Sequence, residues 1–156
     1  MPVRSAGILL HRIGPAGREV WIAHMGGPFW AREDEHAWSI PKGELQPDAA
    51  GVFEDPMDAA RREFEEETGL SAPNLDYVEL GEYRYSSGKL LTVFAAEAPE
   101  FDPPEITPGT FDLEWPPRSG RTQHFPEIDK AAWTPIDEAR ARLVKAQHPM
   151  LDDLPD

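Results

Sequence analysis

One segment, Asp55–Gly69, constrains this chain more than any other. Asp55 can cap a helix, Pro56 suits the first helical position, and Gly69 suits the left-handed residue that closes one. The pattern predicts a helix over Asp55–Thr68, with Met57, Ala60 and Phe64 as its narrow apolar side. On that helix Glu63, Glu66 and Glu67 fall within an arc of roughly 100°. Like charges at this spacing repel, and the negative end of the helix dipole adds to the repulsion. The residues themselves leave two readings open. One is a solvated acidic face. The other is a divalent cation held among hard oxygen ligands, Mg2+ or alternatively Mn2+.

The rest of the chain bounds the class of protein. Its 156 residues read as a single domain, 1–156, long enough for a core without covalent staples. There is no cysteine, hence no disulfide framework, thiol nucleophile or Cys-zinc site, and this fits a reducing compartment. Fifteen Lys and Arg against 29 Asp and Glu give a net charge of -14, which argues against nucleic acid as a partner. It does not argue against a small phosphorylated ligand carried by a metal ion. The first 25 residues contain Arg4, Arg12, Arg18 and Glu19, without a signal-peptide core or an 18-residue apolar stretch. The expectation is a soluble cytoplasmic domain with no membrane partner.

Seventeen prolines and twelve glycines cut the chain into short elements, as in an α+β domain with functional loops. Val3–His11 and Glu19–Ala23 read as a hairpin around Ile13–Arg18, and Trp38–Ile40 as a short strand stopped by Pro41. Tyr77–Gly81 and Leu90–Ala96 read as strands around Ser86-Ser87-Gly88. The Pro-rich Phe101–Gly120 reads as a long ordered loop, and Ala132-Trp133 as a strand. A last helix is expected from Thr134, as its cap, to about Ala146, with a frayed tail over 151–156.

The neighbours of the acidic helix carry a resemblance. Pro41-Lys42-Gly43-Glu44 precedes it, and Glu54 is followed, after seven intervening residues, by Arg62-Glu63-Phe64-Glu65-Glu66-Glu67-Thr68-Gly69-Leu70. This resembles the signature of the Nudix hydrolase family. The second half of the signature matches throughout. In the first half, ten residues separate Gly43 from Glu54 where the family has five, which reads as a five-residue insertion within Gln46–Phe53. An alternative alignment sets Gly51 near the signature's loop glycine. The N-terminal strand with Ala6–Leu10, and Trp133 before Pro135–Ala139, extend the likeness over Val3–Ala146.

The resemblance implies a mixed β-sheet sandwiched between helices. It implies Mg2+-dependent hydrolysis of a nucleoside diphosphate linked to another moiety. By position, Glu63, Glu66, Glu67 and the Gly43 carbonyl match the metal ligands, and Arg62 the arginine that orients the carboxylates. Glu54 matches a supporting loop glutamate; alternatively it is a surface charge favourable to the helix dipole. The general base is a signature glutamate or one from a later loop, with Glu127 as the loop candidate ahead of Glu97 and Glu114.

Trp38-Ser39-Ile40-Pro41-Lys42-Gly43 is similar to the dinucleoside-polyphosphate and nucleoside-triphosphate branches. Lys42, Arg118 and Arg121 could meet phosphates while Trp115 stacks on a base; alternatively Trp115 pins its loop. Trp30 and Arg32 carry the same pair of readings, Trp38 reads as core, and His24, His36 and His124 receive no metal role. The expected partner is a small nucleotide, with a homodimer left open. A second reading is a Nudix-fold binding or sensor module. The presence of Arg62, Glu63, Glu66 and Glu67 together favours the enzyme.

Overall fold

The computed structural model describes residues 2–103 and 105–155; Met1, Pro104 and Asp156, which fall within the expected domain, loop and tail, lie outside them. Strands β1 (Arg4–Gly14) and β2 (Gly17–Met25) form the expected hairpin, with Leu10 opposite Trp21. Then come β3 (Trp38–Ser39), β4 (Lys42–Glu44), helix α1 (Pro56–Thr68), β5 (Val78–Arg84) and β6 (Leu90–Glu97). A second hairpin, β7 (Thr110–Glu114) and β8 (Thr122–Pro126), leads into β9 (Ile128–Pro135) and helices α2 (Ile136–Arg142) and α3 (His148–Asp152). The main sheet runs β3-β2-β1-β6-β5, with β4 also paired to β1 and β9 to β2. β1 and β6 are parallel and the other pairs antiparallel, so the sheet is mixed.

The apolar run in β1 is continuous because both faces of the sheet are covered. Ile8, Leu10 and Trp21 face Ala59, Ala60 and Phe64 of α1. Leu9, Val20 and Ile22 point to the other face, among Ala139 of α2, Leu143, and Met150 and Leu151 of α3. This is the α+β sandwich that the sequence predicts. Among the described residues, no helix is long and apolar enough to cross a membrane.

Three local expectations need correction. The stretch Phe101–Gly120 is not loop throughout: Thr110–Glu114 is a strand, held by β8 with Phe111 opposite Phe125 and Asp112 hydrogen-bonded to His124. Thr134 does not cap the last helix. It is buried within β9 opposite Val20, its hydroxyl bonds the Ala132 carbonyl, and the helix ends at Arg142 because Leu143 turns extended to bridge Trp38. The tail is anchored rather than frayed as far as Leu154, which packs against the core. Met150 and Leu151 are buried, Tyr83 Oη donates to Asp153 at 2.6 Å, and Arg140 holds Asp152 at 2.8 Å.

Candidate active site

The acidic helix forms as its caps dictate. Asp55 is extended and its carboxylate accepts from the amides of Met57 and Asp58, while Gly69 closes the helix at φ 74° with its amide on the Glu65 carbonyl. With Ala59, Ala60 and Phe64 turned to the sheet, Glu63 and Glu67 are left facing β4.

Arg62 ties this face together. Its guanidinium forks onto Glu54 (Nη2–Oε1 2.5 Å, Nε–Oε2 3.2 Å) and donates to Glu63 (2.8 Å), Glu66 (3.0 Å) and the Glu44 carbonyl (3.0 Å). The bond to Arg62 holds the Glu54 carboxyl below the usual carboxylate range. Glu54 reaches Arg62 because Pro47–Phe53 folds back on itself. The Gln46 and Glu54 backbones meet at its base, and Asp48 accepts from Ala50 and Val52 at its tip. Gly43 rather than Gly51 packs on the helix: a Cβ at 43 would overlap the Glu63 carboxyl, whereas Gly51 sits in open space.

Glu127 arrives from the other side. Its amide donates to the Gly109 carbonyl (2.8 Å), the Gly109 amide donates to the Glu66 carbonyl (3.0 Å), and the Gly26 amide donates to Glu127's own carbonyl (2.9 Å). Glu127 thereby joins Glu63, Glu67, Lys42 and Gly43 around a cavity of about 410 Å3, whose walls include Trp30, Ile40 and Phe111.

Charge in this cavity is unbalanced. Burial pushes the Glu67 carboxyl up to about 7, aided by Glu127 and Glu63 and opposed by the Lys42 amide (2.8 Å) and its cation. Burial raises Glu63 as well, against the pull of Arg62, and raises Glu127, with Glu66 adding to it. Three carboxylates held above their ordinary range are short of positive charge, and this oxygen-rich set fits a hard divalent cation. Among the described residues, no three acidic or histidine side chains are already gathered tightly enough to hold one. Glu63 and Glu66 instead spend oxygens on Arg62.

Other candidates lie elsewhere. Trp115, Arg118 and Arg121 are at the tip of the β7–β8 hairpin; the arginines are exposed, and Trp115 sets its ring edge-to-face on Phe29 at 5.4 Å. None of the three lines the cavity. Glu97, Glu114 and Arg32 are likewise outside its lining. Trp38 is core, as expected, and His24 is buried between Asp129 (2.9 Å) and the Glu33 carbonyl (2.6 Å). Phe111 was not singled out from the sequence. The alternation Thr-Phe-Asp-Leu-Glu over 110–114 is the signal that could have found its strand.

The chain belongs to the NUDIX domain family, which matches it over residues 1–154. Members of that family generally use divalent metals. The fold is shared with a C. elegans Ap4A hydrolase in a binary complex (18% identity, 95% of this chain and 92% of that one, TM-score 0.65). It is shared also with the NUDIX domain of Shewanella oneidensis NrtR complexed with ADP ribose (12% identity, 98% and 86%, TM-score 0.61). An uncharacterized 17.7 kDa protein of Enterobacteria phage T4 is 45% identical over 95 residues, 60% of this chain. That match spans 58% of the phage protein, less than two thirds of the length of the curated relative.

Proposed function

We propose that the chain is a Mg2+-dependent pyrophosphohydrolase that cleaves a nucleoside diphosphate linked to another moiety, with dinucleoside polyphosphates and nucleoside triphosphates as the preferred class. The observation that carries this reading is the convergence of Glu63, Glu67, Glu127, Lys42 and Gly43 on one cavity that also has aromatic walls. Glu63, Glu66, Glu67 and the Gly43 carbonyl would hold the metal, which when bound neutralises the phosphates and acidifies an attacking water. Arg62 orients Glu63 and Glu66 and keeps them from splaying. Glu127 is poised as general base, since its raised pKa brings it nearer to the working pH. Lys42 supplies the cation for a phosphate. Trp30 and Phe111, which line the cavity, are the rings we assign to a base in preference to Trp115. A cytoplasmic setting goes with the absence of cysteine.

The test is a product-release panel with Mg2+ over dinucleoside polyphosphates, nucleoside triphosphates, ADP-ribose and nucleotide sugars. Turnover led by the first two classes is the expected result. A preference for ADP-ribose would reject the substrate class, and no turnover of any would reject the enzyme.

A further inference from the structure

The crossover from β3 to β4 leaves the regular ladders, and β1 reaches it only through the Ile8 amide on the Pro41 carbonyl (3.1 Å). β3 ends at Ser39, paired to β2, and β4 begins at Lys42, paired to β1, so Ile40 and Pro41 fall between two ladders. Both are buried, and a buried amide needs a partner. Gln147, from the single 3-10 turn ahead of α3, supplies it. Its fully buried Oε1 accepts from the Ile40 amide at 3.1 Å. Its Nε2 donates to Ser39 Oγ (2.9 Å) and to Tyr85 Oη (2.8 Å), and Ser39 Oγ donates on to the Ile40 carbonyl (2.8 Å). The Ile40 amide can only donate, so the oxygen of the carboxamide must face it, which fixes the group's orientation. Two residues on, the Lys42 amide meets Glu67, and one further on Gly43 packs against Glu63.

We propose that Gln147 is a positioning residue for the metal site: from more than 100 residues away in sequence it clamps the Ile40–Gly43 crossover, and so sets where Lys42 and Gly43 meet Glu67 and Glu63. The inference rests on the metal-site reading above. The clamp is specific because all three of its bonds use one rigid planar group on a core element. Loss of the carboxamide leaves the buried Ile40 amide unpaired and the crossover held by the Ile8–Pro41 bond, without removing any group that would touch the metal.

The test is Mn2+ binding by calorimetry, without nucleotide, on wild type, Gln147→Met and Met150→Ala. Both substitutions fall in the same C-terminal core, but Met150 makes no bond to the crossover. Gln147→Met is expected to weaken Mn2+ on the order of tenfold, as for residues that support metal ligands. Met150→Ala is expected to lower the melting temperature and leave Mn2+ affinity unchanged. In the wild type, the amides of Ile40 and Lys42 are expected to exchange hydrogen as slowly as those of β1. A folded Gln147→Met that binds Mn2+ like wild type, equal weakening by Met150→Ala, or fast exchange at Ile40 would each overturn the proposal. If wild type itself binds no Mn2+, the metal-site reading fails first, and the exchange measurement still judges the clamp.

Discussion

Lys42 and Glu67 meet through the backbone: the Lys42 amide donates to Glu67 Oε1 at 2.8 Å. Burial is strong enough to outweigh that bond and the nearby ammonium, and the carboxyl stays up at about 7. The site is therefore built against its own charge, and this sets how the protein responds to protons and cations.

Metal-free protein should lose stability as pH rises. Glu67 binds its proton more tightly folded than unfolded, so its contribution is fully present below about 4.5 and is lost as pH climbs through about 7. The raised Glu63 and Glu127 act in the same direction and outnumber His11, whose imidazole is held below its ordinary value by burial and acts against them. For Glu67 alone the loss is at most about 3 kcal/mol, from roughly 1.4 kcal/mol per pH unit. The melting temperature in chelator should fall between about pH 5 and 7.5, and saturating Mg2+ should flatten the slope by favouring the ionised carboxylates. A melting temperature that rises across this window in chelator would contradict it.

Glu67→Gln and Glu66→Gln should each cut turnover by roughly two orders of magnitude or more while the fold survives, an effect of the size seen when charge stabilisation at a reacting centre is lost. Glu67→Gln should also raise the metal-free melting temperature near neutral pH, because a buried carboxyl that resists ionisation is gone. Few-fold loss of kcat at saturating Mg2+ would exclude both from the chemistry.

Gly43→Ala tests the packing of β4 on α1. The new Cβ would overlap the Glu63 carboxyl, which must swing away from Arg62 or push the strand outward. Mn2+ affinity should fall by roughly tenfold or more, with the melting temperature changed little by comparison. Unchanged affinity would mean that Glu63 is not a ligand.

Substrate contacts should divide by position. Trp30→Ala and Phe111→Ala, at the cavity wall, should raise KM by about tenfold, as expected for lost binding common to ground and transition states. Arg118→Ala and Arg121→Ala, at the hairpin tip, should leave KM within about twofold. A larger effect of the arginines would return them to the site.

The helix was legible because capping, apolar spacing and charge crowding all point to the same thirteen residues, Pro56–Thr68. The two-sided core was legible for a related reason: Ile8, Leu9 and Leu10 in succession leave no face of β1 for water. Phe111 was hidden because a strand of five residues beside prolines signals weakly, and its partner strand follows a tip that contains no apolar pattern of its own. Thr134 misled because it has the chemistry of a cap, and only its long-range pairing with Val20 decides that it stays in the sheet. Gln147 carries no local signal at all. A glutamine near a chain end reads as surface until tertiary contacts bury it.

The bond from the Glu127 amide to Gly109 closes the β7–β8 hairpin at its base, and the Gly109 amide fastens that base to the Glu66 carbonyl. The 115–121 tip beyond this knot takes no part in lining the carboxylate cavity. Loop-closure cost grows only slowly with length, so a longer or chemically different 115–121 tip would add little strain. The molecule thus keeps its carboxylates and its outermost approach surface on separate pieces of backbone: exchanging the 115–121 tip should retune what approaches the cavity while leaving Glu63, Glu67 and Glu127 in register.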